Sequence, residues 1–302
     1  MKHFVGATLM MSCLGYPNIR MYWADATRLS AIADVITRDR FFTLRSNLKA
    51  VNDLDVPDEE KKTDRLRKVR PLLNQGKKAC RELPRTAAVS IDEQIIPFTG
   101  ATTFKQYVPG KPHPNRLKNF VLASPAGLVL DFEIYLLKAC LQGGGNPSLG
   151  CFTTVPLLES LAEKDLRGTG TIMKNRLPKD AKLEDDKSLT KKRRGASCQV
   201  VNASSGVCIV EWVGNKPITL ASTRIEYNKN MGGVDLCDRM LNLYPTTKRT
   251  KRWTVRTMLF SIDLAAVNSW LQYKEDCINL HKAKKDILGL LEFKMALAHL
   301  LL

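Results

Sequence analysis

The sequence lacks the marks of several protein classes. No apolar run is long enough to cross a bilayer, which takes about 20 residues in a row. None of the eight cysteines stands in a C-x-x-C pair, and only four histidines are present. That excludes an ordinary zinc-ligand pattern and a dense disulfide framework, and leaves reduced thiols as the expectation. No internal repeat is visible. Acidic residues are also few: 30 Asp and Glu stand against 47 Lys and Arg, for a net charge of +17 and a pI near 9.6. A field of that sign attracts polyanions, and with no membrane segment in view the leading partner class is nucleic acid.

What is present is an ordinary globular composition. The chain has 302 residues, 44% hydrophobic and 25% charged, enough for one large domain or two smaller ones with a substantial core. Residues 1–82 have apolar residues at helical spacing: Leu29, Ile32, Ala33 and Ile36, then Phe41, Leu44 and Leu48. Near Ala87 the period changes. Val89 and Ile91 alternate with polar neighbours, which predicts a strand ending at Asp92. Further strands are predicted at 104–108, 120–123 and 128–135, as a β-meander with turns at Pro109-Gly110-Lys111-Pro112 and 125–127. After the Gly143-Gly144-Gly145-Asn146-Pro147 breaker come a helix at 155–164, a short strand at 170–173 and a charged loop at 174–194. A small β section follows at 199–201, 207–213 and 218–220. Helices are predicted at 231–243, 253–273 and 287–302.

Three acids are candidates for chemistry. Asp92 lies at a strand end. Asp235 and Asp238 follow Gly232-Gly233 three residues apart, on one helix face. A strand carboxylate meeting a helical pair supplies the hard oxygen donors that Mg²⁺ needs, and two such ions would serve phosphodiester cleavage. Each acid alone has a plainer explanation, as a turn residue or as a complement to a helix dipole.

The longer strings carry more. Ser90-Ile91-Asp92-Glu93-Gln94-Ile95-Ile96-Pro97-Phe98-Thr99-Gly100, with Lys105-Gln106-Tyr107-Val108-Pro109-Gly110-Lys111-Pro112 and Leu117-Lys118-Asn119-Phe120, resembles the first catalytic segment of the piggyBac transposases. The stretch from Tyr227-Asn228-Lys229-Asn230-Met231 through Gly232-Gly233-Val234-Asp235-Leu236-Cys237-Asp238 is similar to that family's third catalytic segment. Lys251-Arg252-Trp253 matches a family tryptophan near the metal site. Tyr22-Trp23, Arg38-Asp39-Arg40-Phe41 and the 64–71 stretch match upstream.

The resemblance implies an α/β fold: an RNase H-like transposase core, incomplete, with a helical N-terminal region and a small β-rich insertion. The expected division is a helical region at 1–86, a core at 87–178 and 227–275, a truncated insertion at 179–226 and a C-terminal helix at 276–302. It implies Asp92 as the first metal-binding acid, Asp235 as the third and Asp238 as its companion, with Mg²⁺ as cofactor if the chain is active.

One family feature is missing. The second catalytic Asp closes a strand just before an aromatic-Thr segment and a helix. Here Phe152-Thr153-Thr154 and the helix remain, but Pro147-Ser148-Leu149-Gly150-Cys151 holds no acid, and the family's helix and strand near 145–151 have no counterpart. Asp131 and Asp165 are conceivable substitutes that no spacing supports.

Basic residues complete the picture. Lys248, Arg249, Lys251 and Arg252 beside Trp253 suit a DNA end, where charge holds phosphate and the ring stacks on a base. Lys105, Lys111 and Lys118 near Asp92 are further phosphate candidates. Lys191-Lys192-Arg193-Arg194 fits a nuclear-localisation signal or a solvated loop. The leading expectation is a nuclear, transposase-derived DNA-binding protein without catalytic activity. An active transposase at TTAA sites and a non-enzymatic fragment that pairs with itself or with full-length relatives are the alternatives.

Overall fold

The structure, a computed structural model, describes residues 1–52, 55–107, 115–136, 153–178, 181, 183–184, 186–192, 195–202, 205–214, 216–223, 232–246 and 250–302. The chain divides into two compact units. One is built from Met1–Leu137 with Gly232–Leu302, the other from Lys138–Met231.

The first unit opens with α1 (Lys2–Leu14), which carries no charge after Lys2 and buries Phe4, Ala7, Leu9, Met10 and Met11. A helix apolar on nearly all sides belongs inside a core. It stops at Gly15, whose left-handed φ of 67° lets its N–H reach back to Met11 O at 3.1 Å. Four short helices follow: α2 (Ser30–Ala33), α3 (Arg38–Ser46), α4 (Asp58–Thr63) and α5 (Arg70–Arg81). Thr37 caps α3 by accepting the Arg40 N–H at 3.3 Å.

Four strands form the first sheet: β1 (Ser90–Pro97), β2 (Gln106–Tyr107), β3 (Asn115–Ala123) and β4 (Val129–Ile134). They do not run as the sequential meander expected. β3 is central, with β1 antiparallel on one side and β4 and the short β2 on the other. β1 also starts, rather than ends, near Asp92. The burial of Ser90, Gln94 and Ile96 carries the alternation on through Pro97, so the whole strand finds a partner in β3. Of the strand expected at 104–108, Gln106–Tyr107 form β2, Phe104 is instead buried against Trp253, and Val108 lies outside the described residues.

The second unit holds α6 (Val155–Ala162), β5 (Thr169–Thr171), α7 (Asp186–Lys192), β6 (Ser197–Val201), β7 (Cys208–Val213) and β8 (Pro217–Ser222). Its sheet has the order β5-β8-β7-β6. β5, expected with the core, therefore pairs with β8, and α7 lies in the stretch expected as a loop. The core here is small: Val155, Leu158, Ile172, Val207, Ile209 and Ala221. A fully buried Glu211 pairs with Lys174 at 2.6 Å.

The chain returns to the first unit with α8 (Gly233–Leu243), α9 (Trp253–Asn279) and α10 (Leu290–Leu301). α10 packs on α1, and the absent side chain of Gly6 brings the helices close: a Cβ there would lie 3.0 Å from Ala298 O. Buried Lys294 of α10 donates to Asp263 Oδ1 of α9 at 2.9 Å and to Tyr244 O at 2.6 Å. The Thr246 N–H and hydroxyl complete the Asp263 carboxylate at 2.8 and 2.9 Å. This network ties the α8–α9 connection to both helices, and no sequence pattern announced it.

Candidate functional site

Asp92 lies on β1 where α8, which carries Asp235 and Asp238, packs on that strand. Gly233 makes the approach possible, since a Cβ there would collide with Ser124 O and lie 2.7 Å from Ser90 Oγ. Gly127, with φ +89°, turns the β3–β4 connection under the same helix; its Cβ would lie 2.8 Å from the Met240 side chain. From this fixed start α8 climbs along β1: Gly233 lies at Ser90, and Cys237 lies at Gln94, whose Nε2 donates to Cys237 Sγ at 3.7 Å.

Asp92 therefore stands close enough to Asp235 for their charges to act on each other, and Asp238 feels both. Asp238 is pushed up to about 6, chiefly by burial. A hydrogen bond from Gln94 opposes that rise, and the Asp235 and Asp92 charges add to it. Asp92 is raised as well, first by burial, against the Glu93 N–H that donates to its Oδ1 at 2.7 Å. The Cys237 thiol, buried beside Asp238, is pushed up to about 12 and stays protonated.

Carboxylates whose charges lie within reach of one another suit a hard cation in donor type and charge. Among the described residues, however, no three His, Cys, Asp or Glu side chains stand close enough together to share one ion. Asp92 with Asp235 would fit a Mg²⁺ held by one or two carboxylates plus water and phosphate. Asp131 does not supply the missing donor: it lies on β4 and pairs with Arg81 at 3.0 Å. Asp165 lies in the second unit, just after α6, at a φ of 54°. Residues 147–151, where the second catalytic acid was sought, lie outside the described residues.

The basic candidates divide. Lys118 leaves the phosphate-facing set: it is 5% exposed, and its ammonium pairs with Glu93 and lies 5.9 and 5.7 Å from the Phe120 and Tyr135 ring centroids. Burial against two rings explains the difference, since β3 turns this side chain to the face it shares with Glu93. Arg252 is also engaged. Its guanidinium donates to Ser46 O, from the last residue of α3, and at 3.3 Å to Leu48 O just beyond it. Trp253 begins α9 and packs edge-on against Phe104, with ring centroids 5.1 Å apart at 84°. Lys251 is exposed and Lys105 partly so, each close in sequence to a member of that ring pair. Lys191 and Lys192 end α7, where Lys192 pairs with Glu184 at 2.6 Å. Lys111, Arg193, Arg194, Lys248 and Arg249 lie outside the described residues.

Residues that the spacing left unmarked also shape the site. Gln94 and Asn119 are fully buried polar side chains between the acids and the sheet. Their only sequence signal was a Gln at a core-facing strand position.

Comparison with known proteins agrees with this geometry. A family profile described as Transposase IS4 matches residues 1–143 and 223–270, more than half of the chain. The human PiggyBac transposable element-derived protein 3 is 26% identical over 330 residues, covering 90% of this chain and 54% of that protein. The human PiggyBac transposable element-derived protein 2 is 25% identical over 347 residues, covering 96% and 57%. The chain thus spans little more than half the length of either. A piggyBac transposase solved in a synaptic complex with hairpin DNA superposes with a TM-score of 0.83 at 21% identity, over 99% of this chain and 70% of that one. The fold is the α/β transposase core, and the chain belongs to the Transposase IS4 family, alongside the piggyBac transposases.

Proposed function

We propose that this chain is a piggyBac transposase-derived protein that binds DNA in the nucleus and does not cut it. The observation that carries the reading is the acid set. Asp92, Asp235 and Asp238 gather where α8 climbs along β1, while Pro147–Cys151 contributes no carboxylate. Two-ion phosphodiester cleavage leans on each bridging carboxylate, because one ion activates the attacking oxygen and the other stabilises the leaving one. With a donor short, Asp92 and Asp235 would hold at most a single Mg²⁺, which would supply positive charge toward a phosphate. Asp238, adjacent and partly protonated near neutral pH, adds to the same pocket.

The net charge of +17 supports DNA as the partner, and so does the DNA in the structural relative's complex. Lys105, Lys251 and Trp253 are the described residues assigned to that contact, joined by Lys111, Lys248 and Arg249 from the sequence. Arg252 acts by holding α3 and α9 together under this surface. The relative's synaptic assembly supports self-association, or pairing with a longer family member, as the mode of action. The basic run at 191–194 fits a nuclear address.

Two assays on the purified chain test the reading. Gel-shift titrations at 50 and 200 mM salt are expected to show binding that weakens by at least tenfold at the higher salt. Supercoiled plasmid with Mg²⁺ or Mn²⁺ is expected to remain unnicked. Absence of binding at low salt removes the DNA role. Nicking that disappears in Asp92→Ala restores the active transposase.

A further inference from the structure

A small cavity of about 10 Å³ lies between the first sheet and α9. Its floor is one face of the sheet. Asn119 of β3 has Gln94 of β1 as register partner on one side and Ile134 of β4 on the other. Ile96, two positions after Gln94, and Phe132, two before Ile134, continue that face, and both line the cavity beside Asn119 and Ile134. Its roof is one stripe of α9: Thr257, Phe260, Ser261 and Leu264 have the spacing of a single helix face. Leu73 of α5 adds a further apolar wall.

The lining is mostly apolar, which makes its polar members informative. Asn119 is 0% exposed and Thr257 1%. Asn119 Oδ1 and Thr257 Oγ1 each have no hydrogen-bond partner among the described residues. The Asn119 amide is held in its orientation: Nδ2 donates to Gln94 Oε1 at 3.2 Å, and Gln94 Nε2 donates in turn to Cys237 Sγ at 3.7 Å. Thr257 does not spend its hydroxyl on its own helix either. Ser261, one turn on, donates its hydroxyl to Thr257 O at 3.0 Å, the back-bond open to a helical Ser or Thr, whereas the Thr257 hydroxyl makes none.

Close packing alone does not account for these two oxygens. A buried polar atom without a partner is destabilising, and an apolar residue of the same shape would remove the penalty. A dry cavity is lined by apolar groups throughout. Here one unpartnered oxygen comes from the sheet and one from α9, and both side chains border the same space, which has the room that a single water needs. Ser261 keeps acceptor capacity after donating to Thr257 O and offers a third contact from the same wall. A cavity of this size admits no organic ligand and no hydrated ion.

We propose that this cavity is a binding site for one water molecule, which donates to Asn119 Oδ1 and bonds the Thr257 hydroxyl. The water joins β3 to α9. It also lengthens a polar chain already present: Cys237 of α8, Gln94 of β1 and Asn119 of β3 are linked in series, and the water carries that series on to α9. Two helices far apart in sequence are thereby connected through the sheet by hydrogen bonds rather than by apolar contact alone. The inference depends neither on the acids nor on the DNA reading.

A high-resolution crystal structure of the full chain provides the first test. Ordered density within hydrogen-bond reach of both Asn119 Oδ1 and Thr257 Oγ1 is expected, and a clear cavity without density overturns the site. The second test is magnetic relaxation dispersion of water oxygen, which counts waters held longer than the protein takes to tumble. Thr257→Val keeps the shape and removes the hydroxyl, while Thr257→Ser keeps the hydroxyl. The valine variant is expected to lose the signal of about one long-lived water, the serine variant to retain it, and both to melt cooperatively. An unchanged signal in the folded valine variant overturns the bridge to α9. If Thr257→Val does not fold, the density in the wild-type cavity decides the matter by itself.

Discussion

The first sheet has two edges, and they are treated differently. At β4 the edge is covered. Asn268 of α9 donates to Val129 O and accepts from Val129 N–H, both at 2.9 Å, and Asp131 accepts the Phe132 N–H at 2.8 Å. At β1 the Phe98 N–H bond to Asn115 O sets the phase: even-numbered residues exchange hydrogen bonds with β3, and Ile91, Glu93 and Ile95 point theirs away. Among the described residues only the Asp92 side chain answers there, by taking the Glu93 N–H, and Ile91 is 58% exposed. One edge is thus built into the core by a long helix, while at the other, among the described residues, the first acid of the site is the side chain that answers. An unpaired edge is a site for pairing with another chain. The residue that blunts it here is also one on which the proposed chemistry depends.

Four substitutions sharpen or break this comparison. The largest effect is expected from Lys294→Met. The covered edge depends on α9, and α9 is held to α10 by the buried Lys294–Asp263 pair. Removing one partner leaves an uncompensated charge and is expected to cost about 3–5 kcal/mol in urea unfolding. A loss below about 1 kcal/mol would show that α9 needs no such anchor. Asn268→Leu comes next. It strands both backbone groups of Val129 in the core, with an expected loss of about 2–4 kcal/mol by the same measurement. A neutral result would mean that the β4 edge is not sealed by this side chain.

Asp238→Asn has a pH-dependent effect of the opposite sign. Folding raises the Asp238 carboxyl to about 6 from its ordinary 3.8. Between those values the folded state binds more protons than the unfolded one, so wild-type stability falls as pH rises through about 6. Above that range the cost is constant, and below the unfolded value it is gone. The variant is therefore expected to be more stable than wild type at pH 7, by on the order of 1–2 kcal/mol after allowing for partial solvent access. The advantage is expected to vanish near pH 4, and melting curves across pH 4–8 follow it; a pH-independent difference contradicts the assignment. Asp92→Ala is expected to have the smallest effect, below about 1 kcal/mol in urea, because water can replace the carboxylate at the open edge. A loss as large as that of Asn268→Leu would erase the distinction between the edges.

Much of the fold was legible in the sequence. The helical period before residue 82 and the alternation after Ala87 are local signals: helices stand where the first points, and the second marks a strand, though one that begins rather than ends near Asp92. The placement of Asp235 and Asp238 on one helix after Gly232-Gly233 was legible as well, through their spacing. What escaped was governed by partners far along the chain. Lys118 looked like a phosphate contact because a lysine near an acid site usually is one, and only the β1–β3 register shows it facing Glu93. Arg252 looked free beside Trp253, yet it is bound to carbonyls some 200 positions earlier. The buried Gln94–Asn119 pair left no trace beyond a polar residue at an apolar phase.

By itself, the amino-acid order determined the chemistry on offer: a strongly basic chain, three carboxylates in two strings, no acid before the Thr153-Thr154 turn, and the local periods that make helices and strands. Those are properties of near neighbours, set by propensity, charge and spacing. Tertiary packing decided which strand lies in the middle of the sheet, which edge is sealed, and which cations face solvent. It also decided that the Gln94 amide of β1 lies against Cys237 of α8. Burial and pairing are cooperative, long-range outcomes, because each depends on where every other element has already packed.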